Sequence, residues 1–142
     1  MEDRYLFKAK RLDNGEWVQG ALFNGESHCI IGQEIKFSPY TEHECKIVGH
    51  EVDRDTICQC TGLKDKNGNL IWENDIVAYW DSYSTENGLA EADCIGKVVW
   101  DDETISFQVT NRLSAEIWEV LDDECSVVGN AIDNPELLEV GE

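Results

Sequence analysis

Residues 59–77 read Gln-Cys-Thr-Gly-Leu-Lys-Asp-Lys-Asn-Gly-Asn-Leu-Ile-Trp-Glu-Asn-Asp-Ile-Val, and this stretch decides the fold of the chain. Asn67 and Gly68 both tolerate positive φ, which a type I′ turn requires at its two central residues. Apolar runs lie on both sides of the pair and include Ile71 and Trp72. The stretch therefore predicts a strand, a tight turn and a second strand.

Asn-Gly pairs recur at residues 14–15, 24–25 and 87–88, and this density is the strongest short-range indication of hairpins. Ile35 and Phe37 extend the apolar run at residues 28–31. The pattern breaks at residues 38–44, where a loop is expected. The first half of the chain predicts strands at residues 5–12, 17–23, 28–31, 46–52 and 56–61.

A coiled two-stranded ribbon is expected in the second half of the chain. A polar kink at Glu73-Asn74 and a glycine at Gly96 are what such a ribbon needs where its strands bend. Residues 74–77 and 96–100 therefore predict the opening hairpin of a small SH3-like barrel. Residues 81–93 between them are polar and predict a mobile loop. Further strands are expected at residues 71–72, 104–110 and 125–128.

Helix is expected in two short pieces. Apolar residues recur at helical spacing at Leu113, Ile117, Val120 and Leu121. This spacing predicts a short helix, with a strand as the alternative. Asn134 before Pro135 predicts a final helical turn through Leu138. The fold class is therefore mainly β, or β-rich α+β, with an N-terminal β meander and an SH3-like small barrel. We expect one domain, residues 1–142, with lobes 1–55 and 56–142.

Charge limits the classes of partner. Thirty acidic residues against eleven basic ones give a formal net charge of -19. Such a field repels phosphate backbones and argues against direct nucleic-acid binding. It suits solubility, or a basic protein partner. The alternative function is an acidic DNA mimic that occupies the basic cleft of a host nucleic-acid-binding protein.

Nothing in the sequence indicates export or a membrane. Residues 1–3 include two acids where a secretory signal would be basic, and the apolar runs are too short to cross a bilayer. We therefore expect a cytoplasmic protein that binds no membrane and keeps its six cysteines as thiols.

Residues with ligand chemistry have structural explanations. Cys58 and Cys60, like His43 and Cys45, are two positions apart without a second balancing motif, so packed thiols explain them better than zinc. The EF-hand-like start at Asp65 places its glycine at the fourth position, where the ion cannot be wrapped. We expect no metal, no cofactor and no catalytic residue. An enzyme is the third hypothesis, through a site assembled from distant residues.

Surplus aromatic residues are the candidates for binding. Ile76 and its alternate neighbours point to one side of a strand, and the residues between them to the other side, so both faces are apolar. The candidates to line a groove that recognises a protein partner are Trp72, Tyr79, Trp80 and Trp100. Core packing is the favoured explanation for the same residues.

The chain resembles the YopX family of small phage and prophage proteins in three blocks. These are residues 5–10, residues 59–77, and residues 128–138, which include Asn134-Pro135-Glu136-Leu137-Leu138. Cys60 stands where the family usually has an aromatic, and Asn74 where it usually has glycine. The resemblance implies a phage or prophage origin, a bacterial cytoplasm and a β-rich fold, and it brings no catalytic mechanism. We expect an accessory protein that binds a protein partner or associates with itself.

Overall fold

The computed structural model describes residues 3–85, 88–110, 117–120 and 124–139, with backbone alone at residues 3, 80–85, 88–93 and 117–120. Three short 3-10 segments lie at Asp3–Tyr5, Arg54–Thr56 and Pro135–Leu138. The strands are β1 (Phe7–Lys10), β2 (Trp17–Asn24), β3 (Cys29–Phe37), β4 (Cys45–Val52), β5 (Cys58–Lys64), β6 (Leu70–Trp72), β7 (Asp75–Thr85), β8 (Gly88–Asp101), β9 (Ser106–Thr110), β10 (Ile117–Val120) and β11 (Cys125–Asn130). The predicted mainly β fold is confirmed.

The chain divides into two units, Met1–Cys60 and Thr61–Glu142. In the first unit, β1 to β4 form a meander and the start of β5 pairs with β1, so the strand order is β4-β3-β2-β1-β5. Consecutive strands of the meander are antiparallel, and Ala9 lies opposite Val18. The predicted N-terminal meander is confirmed.

One face of this sheet forms the core of the first unit, from the side chains of Ala9, Val18, Cys29, Ile31 and Val52. The sheet curls until the end of β4 returns to the end of β1. There Arg11 forms an isolated bridge with Val52, and the N–H of Leu12 donates to the carbonyl of Glu51 at 3.1 Å. The other face of β2, β3 and β4 points away from this core.

In the second unit, β6 pairs with the end of β5, and the other strands form a sheet in the order β10-β9-β8-β7-β11. The core consists of Ile71, Val77, Tyr79, Val98, Val109 and Cys125. The predicted opening hairpin forms, because β7 pairs with β8 and Val77 lies opposite Gly96. Closure of the sheet into an SH3-like barrel stays a prediction.

The strand β8 changes partner where the sequence places its glycine. It pairs with β7 up to Lys97 and with β9 from Val98 onward. A Cβ on Gly96 would lie 1.6 Å from the carbonyl oxygen of Thr110. This contact is far shorter than any van der Waals separation, so only glycine allows the two backbones to approach here.

The prediction of a mobile loop at residues 81–93 is wrong. Strand β7 continues to Thr85 and β8 begins at Gly88, and the two pair without interruption from Trp80 opposite Asp93 to Thr85 opposite Gly88. Polar composition does not exclude a strand, because backbone groups make the ladder and Tyr and Thr favour extended backbone. Residues 86–87, which include the expected turn residue Asn87, lie outside the described residues.

The predicted helix is also wrong where the structure describes it. Ile117–Val120 is a strand that pairs with β9, and the register shifts at a bulge between Ile117 and Glu119. A bulge breaks the two-residue alternation of a strand, so apolar residues around it can reproduce helical spacing. Leu113 and Leu121 lie outside the described residues.

The turn at Asn67-Gly68 differs from the predicted type I′. Gly68 has a φ of 85°, but Asn67 is not in the left-handed region that a type I′ turn requires at both residues. The Gly68 N–H donates to the Asp65 carbonyl at 3.0 Å, and the Asp65 N–H donates to the Asn69 carbonyl at 2.8 Å. Asp is favoured at the first position of a type I turn, so Asp65 specifies this hairpin.

The predicted final helical turn is confirmed as the 3-10 segment Pro135–Leu138. Asn134 does not cap it, because its Oδ1 accepts the N–H of Asn130 at 3.2 Å instead. Within the described residues, no helix combines the length and the apolar character that a membrane crossing requires.

Replacement of Gly96 by alanine is expected to lower the free energy of unfolding by about 3 kcal/mol, because β8 and β9 would have to separate. Gly68→Ala is the matched control. Its φ strains alanine, but no atom lies within 4 Å of the added Cβ, so the loss should be about 1 kcal/mol. Urea unfolding followed by tryptophan fluorescence measures both variants. Equal losses would contradict the steric role of Gly96.

Candidate functional site

The aromatic residues predicted to line a groove lie in different environments. Trp72 and Tyr79 are buried, with 5% and 7% of their surfaces exposed, and Tyr79 belongs to the core of the second unit. Core packing, the favoured explanation, therefore accounts for both. The side chain of Trp80 lies outside the described residues.

Trp100 in β8 is 43% exposed. Its ring meets Phe107 of β9 edge to face, with the ring centroids 5.1 Å apart, because the two residues are opposite each other in the ladder. The indole N–H donates to Oδ1 of Asp102 at 2.7 Å. These contacts fix the ring and leave part of it accessible, so Trp100 remains a candidate binding residue.

The thiols do not form a metal centre in the part of the chain that the structure describes, where no three His, Cys, Asp or Glu side chains are grouped to hold an ion. Cys58 and Cys60 are buried, whereas Cys45 is exposed and the side chain of His43 is 95% exposed. The Cys58 thiol donates to the carbonyl of Thr56 at 3.4 Å. The buried pair packs as small apolar groups.

A pair that the sequence did not indicate joins His28 to Glu51. His28 lies just before β3 and Glu51 lies in β4, and Nδ1 of His28 is 2.6 Å from Oε1 of Glu51. The two side chains are 69% and 46% exposed. Water screens such a pair, so it fits a surface contact better than a catalytic dyad.

Asp65 is one of two buried acids in residues 59–77, with 5% of its surface exposed, and the other is Asp75. Its Oδ1 accepts the backbone N–H groups of Asn67 and Asn69, each at 2.9 Å. Its Oδ2 accepts the N–H of Val127 in β11, also at 2.9 Å. The N–H of Lys66 donates to the carbonyl of Cys125 at 3.0 Å. One carboxylate therefore shapes the turn and attaches it to a strand about sixty residues later.

These hydrogen bonds determine the ionisation of Asp65. Burial on its own would raise the pKa of this carboxyl group, because it disfavours the charged form. The N–H donors of Val127, Asn69 and Asn67 stabilise the carboxylate more strongly, and the pKa lies below its ordinary value of 3.8. The calcium-like sequence at this position therefore uses its acid to hold backbone amides.

Sequence reasoning missed an exposed apolar surface on the first unit. We define the outer face by the side chains that β2, β3 and β4 direct away from the core: Phe23, Ile30, Ile35, Phe37 and Ile47. Phe23 lies opposite Ile30, and Ile35 lies opposite Ile47, so the five share one side of the sheet. Their exposed fractions run from 37% for Ile30 to 69% for Phe37.

A groove of about 580 Å³ runs along the outer face. Gly32 lies at its floor, and the side chains of Ile47 and Phe23 approach it so closely that a Cβ there would be 2.7 Å and 2.9 Å from them. Ala21 and Leu6 continue the lining. The alternation of apolar residues along β2 and β3 was the available signal, but only the strand order shows which alternate set is outside.

Comparison with known proteins identifies a family and a similar structure. A family model described as YopX protein matches residues 6–139. A search of curated proteins found no significant match. A crystal structure of protein EF1440 from Enterococcus faecalis is similar, with a TM-score of 0.58 and 27% sequence identity, over 94% of this chain and 96% of that one.

Replacement of Asp65 by asparagine is expected to lower the free energy of unfolding by about 2–3 kcal/mol. The amide removes the charge and turns an NH2 group toward backbone donors that then lose their acceptor. Asp102→Asn, on an exposed residue, is the control and should stay within about 0.5 kcal/mol of the wild type. Urea unfolding at pH 7 measures both, and similar losses for the two variants would refute the anchoring role.

The stability difference between wild type and Asp65→Asn is expected to depend on pH. Because the pKa of Asp65 is lower in the folded chain, its stabilisation is present above the unfolded value and is lost as the pH falls through the folded value. The difference should stay constant from pH 7 to 5 and shrink below about pH 4. A difference that persists unchanged to pH 2 would contradict this assignment.

Proposed function

The chain belongs to the YopX family, and from this premise we propose that it is a phage or prophage accessory protein that acts in the bacterial cytoplasm by binding a protein. The bound protein is either a partner or a second copy of the chain. The proposal assigns no catalytic step, and it places the binding surface on the outer face of the first unit.

The outer face is the observation that supports this proposal. Five large apolar side chains on one side of a sheet are costly to leave in water, at about 25 cal/mol for each Å² that could be buried. Contiguous apolar surface on a protein mostly marks an interaction site. The chain is rich in Asp and Glu, yet these five exposed positions hold Ile and Phe.

Charge is distributed unevenly and favours the same surface. The first unit, Met1–Cys60, has eleven acids and seven bases, a net charge of -4. The second, Thr61–Glu142, has nineteen acids and four bases, a net charge of -15. Electrostatic repulsion of an ordinary protein partner is therefore weakest at the unit that carries the outer face.

The second candidate function is an acidic DNA mimic, favoured by the concentration of charge in the second unit. A basic nucleic-acid-binding protein of the host would bind there, and the partly exposed Trp100 would add an apolar contact. Such binding would weaken steeply as salt rises. Binding through the outer face depends mainly on apolar burial and would survive the same salt.

The double variant Ile35→Ser with Phe37→Ser tests the proposal. Both side chains are more than half exposed, so the fold should remain, as circular dichroism would verify. We expect protein binding to be lost, measured by capture from host lysate with quantitative mass spectrometry and by sedimentation velocity of the purified chain. Val128→Ser, an exposed apolar residue of the second unit, is the control and should bind normally.

Two outcomes would contradict the proposal. A wild-type chain that captures nothing and stays monomeric at high concentration has no binding function of this kind. Capture that is unchanged in the double variant, but lost at high salt, would favour the DNA mimic instead.

A further inference from the structure

We propose that the outer edge of β4 pairs antiparallel with the same edge of a second copy of the chain, with Ile47 at the two-fold axis. This inference rests on the proposed function, because it names a second copy of the chain as the bound protein and sets the two outer faces side by side. Three features of the first unit support it: the direction of the backbone groups along β4, the length of edge that is open, and the position of Lys46.

Backbone direction identifies the groups that point outward from β4. At its beginning, the N–H of Ser38 donates to the carbonyl of Glu44 at 2.8 Å, so Glu44 faces β3. At its end, the carbonyl of Glu51 accepts from Leu12, on the side away from β3. Backbone groups alternate along a strand, so both observations agree that Cys45, Ile47 and Gly49 direct their N–H and C=O outward.

The open part of this edge is short and has a defined centre. β4 lies at one edge of its sheet, and among the described residues its ladder is formed with β3 alone. Leu12 occupies the edge at Glu51, and the loop that contains Glu44 precedes the strand. The outward groups left open are those of Cys45, Ile47 and Gly49. A two-fold axis at Ile47 pairs all three, with Cys45 of each copy opposite Gly49 of the other.

Neighbouring registers are less favourable. An axis one residue earlier would place Lys46 directly opposite Lys46 of the second copy, and like charges opposite each other destabilise a ladder. An axis one residue later would pair Cys45 with Glu51, whose carbonyl already accepts from Leu12. With the axis at Ile47, Lys46 lies opposite Val48 of the second copy, and no charges of the same sign oppose each other across the new ladder.

The side chains also favour a second copy as the occupant. Pairing at this edge makes the two outer faces continuous. Ile47 then lies beside Ile47 of the second copy, and in each copy Ile35 of β3 lies next to Ile47 on the side away from the axis. Every outward N–H meets a C=O, and apolar residues meet apolar residues, so the surface is complementary to itself. An unprotected apolar edge strand is a template for such pairing.

Cysteine cross-linking tests the register. The protein carries Cys45→Ser to remove the exposed native thiol, together with Ile47→Cys or Val48→Cys. Directly opposite residues of a hydrogen-bonded pair have Cα atoms about 5.5 Å apart, within disulfide reach. The two copies of position 48 are offset along the strands, beyond about 7 Å. We expect copper-phenanthroline to give a disulfide-linked dimer with Ile47→Cys and none with Val48→Cys. Cross-linking of Val48→Cys alone would overturn the register.

Sedimentation equilibrium tests the association itself. The wild type should approach twice its mass of 16.1 kDa as concentration rises. Ile47→Asp places two carboxylates at the axis and should weaken the dimer by at least about tenfold. Val48→Asp, on the same strand, places its carboxylate opposite Lys46 of the second copy and should leave the dimer intact.

The outcomes separate this inference from the proposed function. A monomeric wild type that still captures a host protein, and loses it in the Ile35→Ser and Phe37→Ser double variant, overturns the dimer and keeps the binding function. A monomeric wild type that captures nothing overturns both. Equal weakening by Ile47→Asp and Val48→Asp would overturn the pairing at Ile47.

Discussion

The carboxylate of Asp65 holds together parts of the second unit that are distant in sequence. It accepts three backbone N–H groups, two from its own turn and one from Val127, and the neighbouring Lys66 donates to Cys125. The end of β5, the turn and β11 are therefore attached at one buried point. A burial that would normally oppose ionisation is outweighed by these donors, so the charged form is the one the fold requires.

Local sequence predicts the parts of the fold that depend on local geometry. The meander, the opening hairpin of the second unit and the last helical turn follow from turn residues and apolar alternation. Asn74, at the predicted polar kink before β7, has a φ of 71°, a conformation that asparagine tolerates better than most residues. The type I′ assignment failed because the side chain of Asp65 organises a longer turn, and local pairs such as Asn67-Gly68 do not reveal that.

Features that depend on strand order could not be predicted from the sequence. The polar residues 81–93 lie in a ladder because β7 and β8 align over their whole length. The outer face could be identified only once the order of β2, β3 and β4 was known. The open length of the β4 edge is set by the contact between Leu12 and Glu51, which lie far apart in sequence. The aromatic binding candidates differ in exposure for the same reason, since Trp72 is buried and Trp100 is half-exposed. The proposed binding surface thus depends on the strand order of the meander, while the most distinctive sequence block, residues 59–77, serves folding.

An NMR titration of the Asp65 carboxyl carbon tests this account most directly. The amide protons of Asn67, Asn69 and Val127 should be followed in the same samples, since they donate to this group. We expect a midpoint below the ordinary 3.8, with the three amide signals shifting at the same midpoint as the carboxyl carbon. A midpoint at or above that value, or a Val127 amide that does not respond, would contradict it.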